Sequence, residues 1–585
     1  GGGISYLCPI LRTSSESFTV RLADECESGS YTAYLKRDAR KKSIGKIYIN
    51  IVDKIDFEPS AGTTVFGMVS SEEGPVANVV VSDGTEVTVT DDKGIYELKS
   101  AKKWGYVFIS VPSGYEVAAE GVFPQFYQTL KGAADVVEQK DFKLTKVDGQ
   151  DRYKLFLLGD MHLANRTNDA AQFTQFTTDL NAYMAQHSGQ KMYALTLGDM
   201  TWDLYWYKNN YALPQYRETI NRQVKNLQIY HTMGNHDNDP YVAMTTSDYD
   251  AAVKYVDCIG PTFYSFNIGQ VHYVVMDNID CSAYDGTDSR NYVKKLSNEQ
   301  LKWLAKDLAY VDKSTPLIVA MHAQIYKPTS TGFAFDHDSA NTEALLAALD
   351  GYEVHFVTGH THKVYNITPD DDVVKGRDIH EHNSGAIRAS WWWSGNLTPG
   401  VHVSIDGAPG GYAIWDIDGT DFAWLYKSTG WPEEYQFRSY DLNNVSFSMD
   451  DVPNIPSNVL IQLAYKKYVN AYPENSDNEV LIKIWNWNSN WELSVVDERG
   501  KTLEYTPVWA YDPLHIAALS VPRFNNSGIT STPSFVTESA TNFFKVKADD
   551  ADVDLTITVK DEFGHTWTEE MQRPKSFSTD AYKLR

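Results

Sequence analysis

Five apolar runs in the middle of this chain end in the same kind of residue, and no other feature limits its fold and chemistry as tightly. "YKLFLLGDMH" ends on Asp160 and His162, "MYALTLGDMTWD" on Asp199, "LQIYHTMGNHD" on Asn235, His236 and Asp237, "TPLIVAMHA" on His322, and "EVHFVTGHTH" on His360 and His362. Segments with apolar residues at helical spacing lie among them: "AAQFTQFTTDLNAYMAQHS", "SNEQLKWLAKDLAYV" and "TEALLAALDG". Alternation of this kind predicts an α/β layer fold. In open α/β sheets ligands bind beyond the carboxyl ends of the strands, so the runs deliver carboxylates, imidazoles and one amide to a single edge. A glycine precedes Asp160, Asp199, Asn235 and His360 and lets the backbone turn sharply off each strand.

The number of donors selects the chemistry. With His236 set aside, Asp160, Asp199, Asn235, His162, His322, His360 and His362 make seven ligands. A tetrahedral zinc takes only four. Seven suit two metals about 3.5–4 Å apart, bridged by a shared carboxylate and a hydroxide. Alone, His360 and His362 would read as satisfied loop residues; four further strand ends supply their partners. In a strand the two would project to one side, but a turn lets them diverge. Thirteen of the fifteen histidines fall between residues 151 and 430, which places the chemistry there.

The order "GDMH", "GDMTWD", "GNHD", "MHA", "GHTH" resembles the calcineurin-like metallophosphoesterase family, directly over about 160–365. The resemblance implies a four-layer α/β/β/α double β-sandwich over 148–430. It implies that Asp160, His162 and His362 hold one divalent metal, that Asn235, His322 and His360 hold the other, and that Asp199 bridges them. Mn, Fe and Zn all suit these donors. It further implies metal-dependent hydrolysis of a phosphoester by in-line attack of a bridging hydroxide, with His236 aimed at the scissile phosphate. Such a histidine needs an orienting carboxylate. Asp203 lies one residue further from Asp199 than the family's GDxxD spacing, and Asp237 competes for the role; either would otherwise be an ordinary surface acid.

Three β-rich regions flank this layer fold. Residues 1–60 offer "SFTVRLADE" and "GKIYINIVDKIDF" as strands. Residues 61–147 alternate at period two with glycine turns, predict a small antiparallel sandwich, and resemble the carboxypeptidase-regulatory-like modules of exported bacterial proteins. Residues 431–585 read as a C-terminal β domain in which "NVLIQLAYKK", "EVLIKIWNWNSNWELSVVDE" and "DLTITVKDEFGHTWTEEM" are strands. The opening "GGGISYLCPI" is no secretory signal, so the protein is either cytosolic or exported with its signal removed; the flanking modules favour the periplasm or cell surface. No apolar stretch reaches the length of a membrane span. A net charge of −25 disfavours nucleic-acid duplexes and anionic lipid and repels a phosphate-bearing substrate at long range unless cations sit locally in its site; the family resemblance implies a small phosphorylated molecule as the partner.

Several further residues carry expectations. Asn165 and Arg166 in "LANRTND" would meet a phosphate or form a surface loop. His337 in "FAFDHDSAN" would line the cleft or stay outside it. Trp202, after a metal ligand, would wall the pocket or fill an interface. Trp391 and Trp393 would share one face of a strand, packing between sheets or serving as a platform for a base or sugar. Cys258 and Cys281 flank a hairpin with its turn at Gly269-Gln270, and would form a disulfide or remain buried thiols. A pyrophosphohydrolase of nucleotides or sugar nucleotides stays open beside a phosphoesterase. So does a noncatalytic surface protein that binds glycan or protein on a degenerate scaffold.

Overall fold

The computed structural model describes residues 5–13, 18–23, 25–27, 29–49, 55, 57–242, 248–287 and 291–584. Its centre is a pair of facing sheets. The first has the order β3-β2-β1-β10-β11, where β1 is Arg152–Leu158, β2 Lys191–Thr196, β3 Gln228–Tyr230, β10 Gly411–Asp418 and β11 Asp421–Ser428. The second has the order β4-β5-β6-β7-β9-β8, with β4 Tyr264–Ile268, β5 Val271–Val275, β6 Leu317–Ala320, β7 Val354–Thr358, β8 Val364–Ile367 and β9 Ile379–Ser384. Strands β1, β2 and β3 are parallel to one another, as are β5, β6, β7 and β9, and antiparallel strands close the edges.

Alternation along β1 builds the layers. Tyr153, Leu155 and Leu157 turn into the core shared by the two sheets. Phe156 and Leu158 turn the other way, against α1 (Asp169–Gln186), α2 (Leu213–Gln223) and α3 (Tyr249–Cys258). Trp303 and Leu304 of α4 (Asn298–Asp307) and Leu345 and Leu346 of α5 (Ser339–Ala348) join the shared core from the second sheet's side. The four layers are thus α/β/β/α, as expected.

The flanking regions are sheet-rich. The strands Gly29–Arg37 and Arg40–Ile49 pair as a hairpin, and Phe18–Val20 pairs with Ile10–Thr13. The tail of the predicted run "GKIYINIVDKIDF", residues 50–54 and 56, lies outside the described residues. Two larger sheets and a two-stranded one form between 65 and 146, but Val65–Ser71 runs parallel to Phe142–Lys146, so the sandwich is mixed and not purely antiparallel.

The C-terminal region holds the sheet β12-β13-β16-β15 (Phe437–Asp441, Glu479–Ile484, Ser539–Lys547, Tyr505–Tyr511) and the sheet β14-β17-β18 (Glu492–Asp497, Leu555–Lys560, Thr566–Met571). It is not all-β. "NVLIQLAYKK", expected as a strand, opens helix α6, Val459–Ala471. The Asn458 side chain caps it by accepting from the Leu460 and Ile461 amides. Its core face is Ile461, Tyr465 and Tyr468, whereas Leu460 and Leu463 are 72% and 56% exposed. Apolar residues on both faces erased the helical period that sequence reading depends on.

Two other expectations fail locally. The hairpin turn does lie at Gly269-Gln270, but the ladder spans only Tyr264–Ile268 and Val271–Val275. Cys258 ends α3 instead of extending a strand, and Cys258 and Cys281 are free thiols. Trp391 and Trp392 are no strand either: both have left-handed backbones (φ 59° and 60°), and Trp393 opens a short helix, Trp393–Leu397.

Candidate metal centre

Each strand end delivers its donors to one cluster. Asp160, His162, Asp199, His360 and His362 all have positive φ, between 45° and 67°. Non-glycine residues rarely adopt this backbone, and strain of this kind collects at functional sites. Of the glycines preceding the ligands, only Gly198 is itself left-handed, at φ 87°. Gly234 is required for a different reason: a Cβ there would lie 2.3 Å from the Asp199 amide nitrogen and Oδ1. The turn off the strand is therefore not the general reason for these glycines; close approach of a neighbouring ligand loop is.

Two groups of donors meet at Asp199. On one side, Asp160 Oδ1 is 3.5 Å from His162 Nε2 and 3.2 Å from His362 Nε2. On the other, His322 Nε2 is 3.0 Å from Asn235 Oδ1 and 3.1 Å from His360 Nδ1. Asp199 Oδ2 stands between them, 3.1 Å from His162 Nε2 and 3.2 Å from His322 Nε2. Donor atoms of Asp160, His162 and His362 lie within 4.8 Å of one another, as do those of Asp199, His322 and His360.

The residues fit divalent cations on electronic grounds. His322 Nδ1 faces the Leu197 carbonyl at 2.7 Å and must carry a proton there, so Nε2 is the nitrogen that would ligate a cation, once that cation displaces its proton. His162 Nδ1 is buried with no hydrogen-bond partner among the described residues, and His162 Nε2 and Asp160 Oδ1 have close polar neighbours but no well-aligned hydrogen bond. A natural fold rarely leaves such atoms orphaned without a reason. Burial, helped by the Arg388 charge, pushes His162 down to about 3 and His362 to about 4, so both are neutral imidazoles able to ligate. Burial also works against a charged His322, but Asp199 and Asp160 outweigh it and raise His322 to about 9. The pocket thus seeks positive charge. Buried Arg388 was not foreseen from sequence. Its Nη2 sits 2.7 Å from His362 Nε2 and its guanidinium 3.5 Å over the Trp391 ring, so occupancy of that side requires it to turn away.

The second acids divide clearly. His236 Nδ1 contacts Asp203 Oδ1 at 2.7 Å, and both side chains are buried. Asp237 instead accepts from the backbone amides of Thr201 at 3.1 Å and Gly234 at 3.0 Å. Burial beside Asp199 raises it to about 7. The extra residue between Asp199 and Asp203 does not keep the carboxylate from His236: the chain stays extended at Trp202, and Asp203, which opens a 3-10 turn (Asp203–Tyr205), reaches the ring at 2.7 Å.

A cavity of about 1030 Å³ opens over the cluster. Trp202 lines it, with Trp391 4.3 Å away between ring centres and Phe535 of the C-terminal region 4.9 Å beyond. Asn165, Arg166 and His337 are not in its wall. Asn165 is exposed, Arg166 lies over the Trp202 and Tyr205 rings, and His337 is buried against the Asn278 amide at 3.2 Å. Phe535 was not legible as a site residue, because it lies more than 170 residues from the last ligand motif and only tertiary packing brings it near.

Comparison with known proteins agrees with this geometry. Residues 153–364 match the family model for calcineurin-like phosphoesterase, 63–147 the model for the N terminal of calcineurin-like phosphoesterase, and 381–567 that for its C terminal. No curated protein gives a significant match. Among solved structures, "GAP50 the anchor in the inner membrane complex of Plasmodium" is 14% identical with a TM-score of 0.29, over 48% of this chain and 85% of that one. A glycosyl hydrolase family 2 member from Bacteroides cellulosilyticus is 8% identical with a TM-score of 0.16, over 86% of this chain and 75% of that one. Likenesses this slight bear on neither fold nor function. Three adjoining family matches over the ligand motifs and both flanks are what place the protein: it belongs to the calcineurin-like phosphoesterase family.

Proposed function

We propose that the protein hydrolyses a small phosphoester at a centre holding two divalent cations, drawn from Mn, Fe and Zn. The observation that carries this is the position of Asp199 Oδ2, within 3.2 Å of a donor from each group. Asp160, His162 and His362 would hold one cation, Asn235, His322 and His360 the other, and Asp199 both. When bound, the cations supply the positive charge that polarises a phosphoryl group and activates water.

The chain's own residues do the rest. Asp203 fixes the His236 ring through its contact with Nδ1. His236, on the cavity wall, then gives a proton from Nε2 to the departing oxygen. Asp237 holds the Met200–Thr201 turn in shape and takes no proton in the reaction. Trp202 and Trp391 keep water away from His162, whose ring centre lies 4.6 Å from that of Trp391. Functional units would be 1–60, 61–147, 148–430 and 431–585, with the last closing the cavity through Phe535. Export is part of the same proposal, supported by the resemblance of 61–147 to modules of exported proteins. Among the described residues no helix is long and apolar enough to cross a membrane.

A second reading, pyrophosphohydrolysis of a nucleotide or sugar nucleotide, is favoured by the cavity's size and its Trp202–Trp391–Phe535 wall. Its volume is well beyond what a phosphate needs. Paired chromogenic monoester and diester substrates, run beside a nucleoside diphosphate sugar with added Mn²⁺, separate these activities. Hydrolysis of none of them by metal-loaded protein would favour a noncatalytic binding role.

A further inference from the structure

The phosphoesterase centre leaves a second histidine cluster unused. His355 on β7 lies opposite His380 on β9, and His382 follows two residues later on the same face. The three rings occupy the space between the two sheets. His382 lies 4.7 Å from Trp415 and 4.5 Å from Trp424, and His355 lies 4.9 Å from Phe422. One nitrogen from each histidine falls within 4.8 Å of the others.

Hydrogen bonds around the trio fix its protons. Asn366 donates from Nδ2 to the Asn486 carbonyl at 2.9 Å, so its Oδ1 faces His382 Nδ1, also at 2.9 Å. An amide oxygen only accepts; His382 therefore carries its proton on Nδ1 and turns the Nε2 lone pair inward. That lone pair meets His355 Nδ1 at 3.1 Å. The other nitrogen of His355, Nε2, meets a Glu353 carboxylate oxygen at 3.2 Å. Neutral His355 has one proton for two contacts that each demand one, so two electron pairs are left opposed. His380 adds a further unmatched nitrogen: its Nδ1 is buried with no hydrogen-bond partner among the described residues, and its ring stacks on His355 at 4.3 Å.

We propose that His355, His380 and His382 form a further, mononuclear site for a transition cation of the zinc class, separate from the phosphoester-cleaving centre. An all-imidazole donor set suits zinc, copper or nickel and not magnesium or calcium. Tetrahedral ligation at about 2.0–2.1 Å puts donors about 3.3 Å apart, close to the present His355–His382 contact. His380 can close the set by rotation, since its side chain is 20% exposed at the edge of the core. Glu353 and Asn366 then act as outer partners that hold the ring tautomers. The site would tie β7 to β9 and, through the Asn366–Asn486 bond, the catalytic layers to the C-terminal region.

Elemental analysis of the full chain after zinc loading and desalting tests this. Wild type is expected to keep three zinc ions, His380→Gln two and Asp199→Ala one. Cobalt-loaded Asp199→Ala should show the intense visible absorption of one tetrahedral ion per chain, a readout that leaves the trio intact and so survives misfolding of the His380 variant. If the phosphoesterase reading fails instead, wild type keeps one zinc and His380→Gln none, and the trio site still stands. Equal zinc in wild type and His380→Gln, or no cobalt signal from Asp199→Ala, would overturn it.

Discussion

Replacing Asp203 tests the division of labour between the two second acids. The Asp203–His236 contact is 2.7 Å long, the carboxylate is fully buried and His236 is 9% exposed, so solvent screens it little. A charge-assisted hydrogen bond in such a place is worth about 1.5–3 kcal/mol. If it serves the transition state, its loss slows turnover by roughly 10- to 150-fold. Asparagine can still accept from Nδ1 and hold the ring, so Asp203→Asn should fall near the lower end and Asp203→Ala near the upper. The assay is kcat on a chromogenic phosphoester at saturating metal, with metal content measured on the same samples. Metal content should not change. In a His236→Ala background, Asp203→Ala should cost nothing more, because the acid acts only through that ring. An undiminished loss in that background, or loss of metal from Asp203→Ala alone, would refute the positioning role.

Three other perturbations probe the frame. Gly234→Ala forces a Cβ to within 2.3 Å of Asp199, so it should lower metal retention at least tenfold while circular dichroism stays native. Trp303, fully buried on α4, leaves a cavity when cut to alanine; unfolding in urea should show a loss of about 3–5 kcal/mol. His231 is buried against Phe123, and burial lowers it to about 3 from 6.5. A lowered histidine stays neutral in the fold while the unfolded chain takes up a proton below 6.5, so stability drops as pH falls from 6.5 toward 3. The drop approaches about 4 kcal/mol, and His231→Gln should flatten the decline in urea midpoint over that window.

Much of this molecule was legible because its chemistry sits at strand ends. The same residues that end an apolar run are those that ligate, so one pattern reported both the α/β layers and the donor set. What stayed hidden depended on tertiary packing. The helix at Val459–Ala471 was misread since Leu460 and Leu463 are apolar yet exposed. The left-handed Trp391 and Trp392 follow no periodicity, so a strand was drawn through a turn. Asp203 stays open in the sequence because spacing counts residues, while only the folded backbone fixes its 2.7 Å distance to His236. Arg388 stands in "GAIRAS", where nothing local marks an arginine as buried. His355, His380 and His382 lie on two strands 25 residues apart, and only their pairing makes them neighbours.

The most direct test of the two-cation centre is the manganese content per chain of His362→Ala, His322→Ala and Asp199→Ala beside wild type, since an all-imidazole cluster retains that ion poorly. Two ions in wild type, about one in each histidine variant and nearly none in Asp199→Ala are the values predicted from the shared Asp199 oxygen. One ion in wild type, or two retained by Asp199→Ala, would contradict the shared centre.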